Sequence, residues 1–479
     1  MLGMFLVLGM ACEDRDEKRA NPLLNTEGPC PGHAALKVGQ HKDCPILVSQ
    51  SNILAFNTYA NTDLGRTRHY RLVEDVVLSG TNNWEAIGTY RPRAPFMGSF
   101  DGDGHSIRNL SIETADSYQG MFGYMDTDAV VEKLALENVN LTGDTYVGGL
   151  VGNNHGTVQY SYATGNVNGS SFVGGLVGAN SGTVEHSHTA DSVITSDTYV
   201  GGLVGNNHGT VQYSYATGNI NGSWFVGGLV GANSGTVEHS HTAGSVIASG
   251  TYVGGLVGYG GYSDSIVANS YSESNVNGGG QNIGGLVGNN SGTVQNSYAT
   301  GNVSGPSSVG GLVGNNSGTL QNSYATGNVS GTHSVGGLLG HNFEGMVQNS
   351  YATGSVTSSD SCVGGLVGYN HSGTVQSSMA LGPRVSGTIS VGRVAGINFG
   401  GTLVNNFAFA GMLNGAGNTQ WDNTYANAVS GADRTAEELK TRGGFPSELT
   451  SPLWTYEEGS LPGLGHTVPM PDWMANSTP

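Results

Sequence analysis

The chain has 479 residues, 80 of them Gly, and only 11% are charged. A hydrophobic fraction of 37% is too high for a disordered Gly/Ser linker. A net charge of −18, with five Lys in the whole chain and no basic cluster, argues against a nucleic-acid partner.

The chain opens on MLGMFLVLGMACEDRDEK, an apolar run that ends at Ala11-Cys12 and gives way to charge. This stretch resembles a bacterial lipoprotein signal, which implies lipidation of Cys12 and attachment to a membrane. The alternative is an ordinary secretory signal. Either reading makes the chain an exported one. Residues 1–12 are set apart as this signal-like segment and 13–44 as a linker. No later stretch approaches the ~18–20 apolar residues of a spanning helix.

The linker holds Cys30 and Cys44. An oxidising compartment favours a disulfide between them. The string CPGHAALKVGQHKDC also spaces Cys30, His33, His41 and Cys44 as a zinc-compatible set. Unpaired thiols are the third possibility. The leading reading is the disulfide, with no metal and no cofactor. Cys362 reads as one more small residue of the repeat that contains it.

Residues 45–143 are expected to form N-terminal coils and a cap. They contain FDGDGHSI, where Asp101, Asp103 and His105 make the best acidic cluster of the chain. Paired carboxylates can hydrolyse glycosides. Asp-Gly-Asp-Gly is equally a turn at the entry to a strand, and catalysis is not the expectation.

Residues 144–410 repeat. The Leu of Gly-Gly-Leu recurs at 150, 176, 203, 229, 256, 286, 312, 338 and 366, with Val394 and Met121 as degenerate copies. Within this array, 145–190 and 198–243 are identical except at Val167/Ile220 and Ser171/Trp224. A period of 26 to 30 residues means a solenoid, propeller or array. Helical 3.6-residue spacing is absent. Each unit has three short Val-bearing runs between NNSG, ATGN and SG turns. That content predicts one coil of a β-solenoid per unit. Gly is expected to permit positive φ at corners and close approach of coils. Pro306 and Pro383 are the only Pro between Pro95 and Pro446, in keeping with an unbroken ladder.

Two columns follow from the anchor. Four residues on stand Asn154, Asn180, Asn207, Asn233, Asn290, Asn316, Asn342, Asn370 and Asn398, interrupted only by Gly260. Asn tolerates a left-handed turn, and stacked amides can hydrogen-bond from coil to coil. Twelve residues on stand Tyr162, Tyr215, Tyr298 and Tyr324, with Tyr271 and Tyr351 in the same column after insertions and His188 and His241 interleaved. Rings at the coil spacing can stack. A bend that turns Ser297 and Ala299 inward puts Tyr298 outside, so these Tyr form the expected binding face. His186 and His188, repeated at His239 and His241, share a strand face as metal ligands do. The plainer reading places them in the aromatic and Asn columns. Thr157, Thr183, Thr210 and Thr236, with Thr293 and Thr319, also share columns.

The phrase VGGLVG…GTV…SYATGNVSG resembles the GLUG repeat of bacterial cell-surface proteins. YRLVEDVVLSGTNNWEAIG (70–88) and FMGSFDGDGHSIRNLSI (96–112) resemble the segment that often precedes such repeats. RTAEELK (434–440) and LWTYEEGSLPGL (453–464) resemble the segment that often closes them. The resemblance implies a β-solenoid, a surface location, and adhesion or display of other domains. Some immunoglobulin-A metallopeptidases carry these repeats beside a catalytic domain with a His-Glu-x-x-His helix. No His here starts that motif, so the protease activity is not carried over.

The expected fold is therefore all-β: a parallel β-helix of about twelve coils, a C-terminal capping segment at 411–467 and a tail at 468–479. Helix is expected only near 435–441. The expected function is that of an exported bacterial cell-surface, outer-membrane or extracellular protein. It acts as an adhesin or structural stalk without catalysis and meets a host or environmental glycan or protein. A carbohydrate-active β-helix enzyme is the first alternative. An ice- or mineral-binding Thr array is the second.

Overall fold

One coil shows how the sequence bends. In the computed structural model, which describes residues 28–30, 33–79 and 84–475, Leu286 is buried at a corner. Strand Val287–Asn290 follows, then Thr293–Gln295. Within the second strand Val294 is buried while Thr293 and Gln295 face out. Simple alternation would send Asn296 inward. Instead Asn296 takes φ 51°, a left-handed corner that resets the phase. Ser297 and Ala299 consequently point in and Tyr298 points out. The last side of the coil breaks into three short pieces, Tyr298–Ala299, Val303–Ser304 and Ser307–Gly310.

Coils stack in parallel register. Thr293 pairs with Thr319, Val294 with Leu320 and Gln295 with Gln321. One sheet runs through fourteen strands, from Ile46–Val48 to Thr402–Val404, among the described residues. A second runs through eleven, from Phe122–Met125 to Ala395–Phe399. The protein is thus a parallel β-solenoid of about fourteen coils, roughly 60 Å long at ~4.8 Å per coil. In all this is two coils more than the expected twelve: eleven follow the anchors from Met121 to Val394, and three lie at the N-terminal end. There the strands Ile46–Val48, His69–Leu72 and Ser99–Asp101 join the first sheet without the Gly-Gly-Leu phrase.

Glycine acts here by its size. A Cβ on Gly284 would lie 2.0 Å from the Val287 carbonyl oxygen, and one on Gly285 would lie 2.1 Å from that of Gly311. Neither has a positive φ. The repeat's left-handed corners are held instead by non-glycine residues in two columns, at 160, 186, 213, 239, 269, 296 and onward, and at 146, 172, 199, 225, 252, 282 and onward. The expectation that Gly supplies the repeat's corner φ is corrected. So is the left-handed role of the Asn column, since none of its members has a positive φ.

That Asn column is an interior hydrogen-bond ladder. The Asn154 amide donates to Asn180 Oδ1 at 2.8 Å, Asn180 to Asn207 at 2.8 Å, and Asn207 to Asn233 at 2.8 Å. At the gap left by Gly260, Asn233 donates to Ser265 Oγ at 3.0 Å. The ladder resumes from Asn290 to Asn316 and runs on to Asn398. A second buried ladder is made of Ser. The Ser297 N–H donates to Ser323 Oγ at 3.2 Å, and that of Ser323 to Ser350 Oγ at 3.2 Å. Both ladders satisfy backbone and side-chain groups that the corners would otherwise bury unpaired.

The two ends are closed differently. At the N-terminal end, helix Ile53–Ala60 buries Ile53, Phe56 and Ala60. Phe56 meets Tyr70 and Phe100 at ring-centroid distances of 4.8 and 5.3 Å. This helix was not expected; its only sequence signal is one short i, i+3, i+7 apolar stripe in ILAFNTYA. At the C-terminal end, Arg393 stands where other coils have the second Gly of Gly-Gly-Leu. It is 1% exposed and donates to the Ser430 and Gly431 carbonyls at 3.0 Å each, with Asp433 2.7 Å away. The helix expected near 435–441 is present as Ala436–Leu439. Thr435 and Glu438 form its reciprocal capping box. The segment expected as a tail from 468 packs back: Val468–Pro469 pairs with Ser460–Leu461, and Trp473 meets Phe409 at 5.5 Å.

Leu312→Ala opens the buried corner and should destabilise its coils by about 2–4 kcal/mol. Asn316→Ala leaves ladder partners unpaired and should cost about 1–3 kcal/mol. Because coils unfold as neighbours rather than as one unit, amide exchange across residues 283–345 is the measure. Unchanged exchange in the Leu312 variant would contradict the inward corner.

Candidate functional site

Stacking identical coils turns the outward-facing positions into columns of like side chains. The largest are aromatic. Twelve residues after the anchor, or slightly more where Tyr271 and Tyr351 follow insertions, Tyr162, His188, Tyr215, His241, Tyr271, Tyr298, Tyr324 and Tyr351 form one continuous stack. Neighbouring centroids are 4.5–5.1 Å apart and nearly parallel. Ten residues after the anchor, Tyr160, His186, Tyr213 and His239 form a second, exposed stack at 4.8–4.9 Å. The two rails flank the inward Ser of the same corner. Each His serves as a ring of the stack. Among the described residues no three His, Cys, Asp or Glu side chains come together as a metal site.

A third stack lies on another corner. Tyr90, Tyr118, Tyr146, Phe172, Tyr199, Phe225 and Tyr252 follow one another at 4.6–5.1 Å. Five of these rings stand four residues before the anchor, a column as regular as the others but absent from the sequence-based expectation. Later coils fill that position with Asn282, Ser308, Ser334 and Cys362. Cys362 therefore is one of the small residues of the repeat.

The expected binding face is only partly open. Tyr162, Tyr215, Tyr271 and Tyr298 are half-buried, with their edges outward. Tyr324 and Tyr351 are buried, which corrects their place on an exposed face. The C-terminal segment covers them. The Tyr351 hydroxyl donates to the Pro462 carbonyl at 2.5 Å, Tyr324 Oη lies 3.1 Å from His466 Nε2, and Trp454 packs on both rings. Burial, then the neighbouring Tyr271 and Glu273, pushes the Tyr298 phenol up to about 12. Burial lowers the pKa values of His188 and His241.

The other candidates separate on geometry. Asp101 is ion-paired with Arg71 at 3.1 Å and Lys133 at 3.8 Å. It also accepts the Asp103 N–H at 2.9 Å, closing a turn in which Asp103 has φ 50°. His105 faces Asp75 at 3.5 Å. The Thr column is half-buried and one residue wide, flanked by Gln159, Glu185 and Gln212. Cys12 lies outside the described residues, as does the His33 side chain. Cys30 and Cys44 are both buried and meet. Burial first, then the hydrogen bond to Cys44, pushes the Cys30 thiol up to about 11. His41 Nδ1 lies 3.3 Å from Asp43.

The repeats carry the GLUG motif, which matches at residues 143–168, 196–221, 279–304, 305–330 and 331–357. Halomucin of Haloquadratum walsbyi is 38% identical over 116 residues, which are 22% of this chain and 1% of halomucin. A protein of Evansella cellulosilytica described as a Gly-rich membrane protein is 36% identical over 104 residues, 20% of this chain and 12% of that protein. The chain thus matches only a small part of either relative. A Bacteroides ovatus structure described as a candidate immunoglobulin A1 protease aligns over 94% of this chain and 99% of its own. The identity is 15% and the TM-score 0.21. A solved IgA1 protease aligns over 75% of this chain and 21% of its own, at 15% identity and TM-score 0.25.

Two outcomes are expected. The depressed pKa values of His188 and His241 contribute stability above the unfolded value of about 6.5, which is lost as pH falls. Amide protection factors across 157–271, corrected for the intrinsic slowing of exchange in acid, should therefore fall on acidification below about pH 6.5. His188→Tyr with His241→Tyr should flatten that response, and an unchanged response would exclude these rings as its source. In an oxidising compartment Cys30 and Cys44 should close, lowering the intact mass by two hydrogens. Stoichiometric zinc with both thiols retained would support the rival ligand set.

Proposed function

We propose that this GLUG-repeat protein is exported and stands at the cell surface as an adhesin or display stalk, without catalytic activity. The observation that carries this reading is the repetition of one outward surface from coil to coil. Residues 145–190 and 198–243 differ at two positions, so a contact made by one coil is available again along the rod. Repeated weak contacts raise avidity through effective concentration, with no dominant pocket. The likeness to a Gly-rich membrane protein supports a surface setting, and a lipid on Cys12 would tether the rod at one end. The Asp101 carboxylate is engaged in ion pairs and a turn, which favours a structural role for it over acid–base chemistry.

The test uses beads coated with the whole chain on arrays of glycans and matrix proteins. Removing residues 145–197 deletes two coils in register, because the junction Asp144-Thr198 reproduces Asp144-Thr145. The shortened rod should fold and be retained several-fold less, whereas Tyr215→Ala alone should change retention little. Cleavage of a polysaccharide that is lost on Asp103→Asn would replace this reading with an enzymatic one.

A further inference from the structure

The paired aromatic rails carry a cost the solenoid does not require. Tyr160, His186, Tyr213 and His239 hold left-handed corners with φ between 47° and 50°. The same corner in later coils is held by Asn269, Asn296, Asn322 and Asn349 at φ 49–51°. Asn and His visit this region more readily than Tyr, so the strain falls on Tyr160 and Tyr213. Stacking is not the sole reason for the rings, because the Asn corners also join from coil to coil, with Asn296 donating to Asn269 Oδ1 at 3.2 Å. Strained residues retained where an unstrained alternative fits mark a working surface.

The other rail shows what such a surface accepts. Its far half is covered by the chain's own C-terminal segment, an uncharged, proline-bearing stretch from Leu461 to Pro469 apart from His466. That segment receives the Tyr351 hydroxyl on a backbone carbonyl, sets the His466 ring edge-on to Tyr298, and joins His466 Nε2 to the Tyr324 hydroxyl. The near half continues the same stack without a break, Tyr271 lying 4.9 Å from Tyr298 at an interplanar angle of 2°. On this half the second rail turns from Asn to Tyr and His. The ring faces are occupied by their neighbours and the Tyr162 hydroxyl donates to Glu137 Oε1 at 2.9 Å, so edges and the other hydroxyls are what remain for a partner. A sugar ring, which needs a free aromatic face to stack on, is less well served than a peptide backbone.

We infer that the open double rail over residues 157–271 docks a partner protein through an extended, uncharged, proline-containing segment that offers backbone carbonyls to the Tyr hydroxyls. The inference rests on the surface-binding reading above and names the chemistry of its partner.

The probe is a synthetic peptide of residues 453–475 of this chain, titrated against the whole protein. Saturable binding is expected, with the protein remaining monomeric. Tyr160→Asn, His186→Asn, Tyr213→Asn and His239→Asn together rebuild the corner of the later coils, so the fold is kept while one rail is removed. This variant should bind the peptide at least about tenfold more weakly, and Tyr215→Ser with Tyr271→Ser should do the same through the other rail. Tyr351→Phe, on the covered half, should leave binding unchanged. Absence of binding at millimolar peptide, or binding by both rail variants as tight as by the unaltered protein, overturns the inference. So does dimerisation through the C-terminal segment of a second copy, or retention on glycans that the rail variants alone abolish. If peptide binding fails while bead attachment persists, the adhesin reading survives without this inference. Peptide binding with no attachment to any surface leaves the inference standing and removes the adhesin reading.

Discussion

Everything in this molecule is set by the spacing of the backbone ladder between coils, about 4.8 Å. At that spacing each side chain must lie on the side chain of the next coil, so only residues that tolerate their own kind can fill a column. Aromatic rings stack, Asn amides donate and accept in turn, Ser hydroxyls receive the next N–H, and Gly leaves room for a carbonyl. Carboxylates tolerate it poorly, and where two meet, at Asp101 and Glu132, the cations Arg71 and Lys133 stand beside them. Two carboxylates at ~5 Å would repel by about 1–3 kcal/mol at effective dielectrics between 80 and 20. Accordingly Glu132, Gln159, Glu185, Gln212 and Glu238 alternate along the first sheet. Gln159 donates to Glu132 and Gln212 to Glu185, each at 2.7 Å. Tyr and His alternate in the same rhythm. The duplicated unit is two coils long because two coils are the shortest length that preserves this parity.

The stacking also explains which properties were legible in the sequence. A column recurs at a fixed offset from Leu150, Leu176 and their successors, so the solenoid, the inward Leu and the Asn ladder could be read without coordinates. The phase of the Tyr column was readable as well, because Ser297 and Ala299 are small enough to be interior. Corner φ values were not. The sequence shows Asn at two corner-like offsets, and only the backbone reveals that Asn296 is left-handed while Asn290 is not. The reason is that Asn290 earns its place through its amide and Asn296 through its backbone. Two different physical roles thus produce one letter.

The ends were less legible because they do not repeat. Helix Ile53–Ala60 has no counterpart elsewhere in the chain, and its burial depends on Tyr70 and Phe100, which lie one and two strands further along. The burial of Tyr324 and Tyr351 depends on Pro462, His466 and Trp454, more than a hundred residues later. A column states what its members are. It does not state which of them another segment will cover.

Arg393 gives the array a terminus. At the equivalent position in earlier coils a side chain would strike the carbonyl of the coil above, 2.1–2.2 Å away at Gly285, Gly311 and Gly337. An arginine is admissible here because the next layer is not another repeat coil but the capping segment, whose Ser430 and Gly431 carbonyls accept from its guanidinium. The residue works as a stop mark in a template that would otherwise invite more strands. With a helix closing one end and a buried cation closing the other, the rod has two unlike tips. It therefore has a direction, running from a helix-closed end to an arginine-closed end.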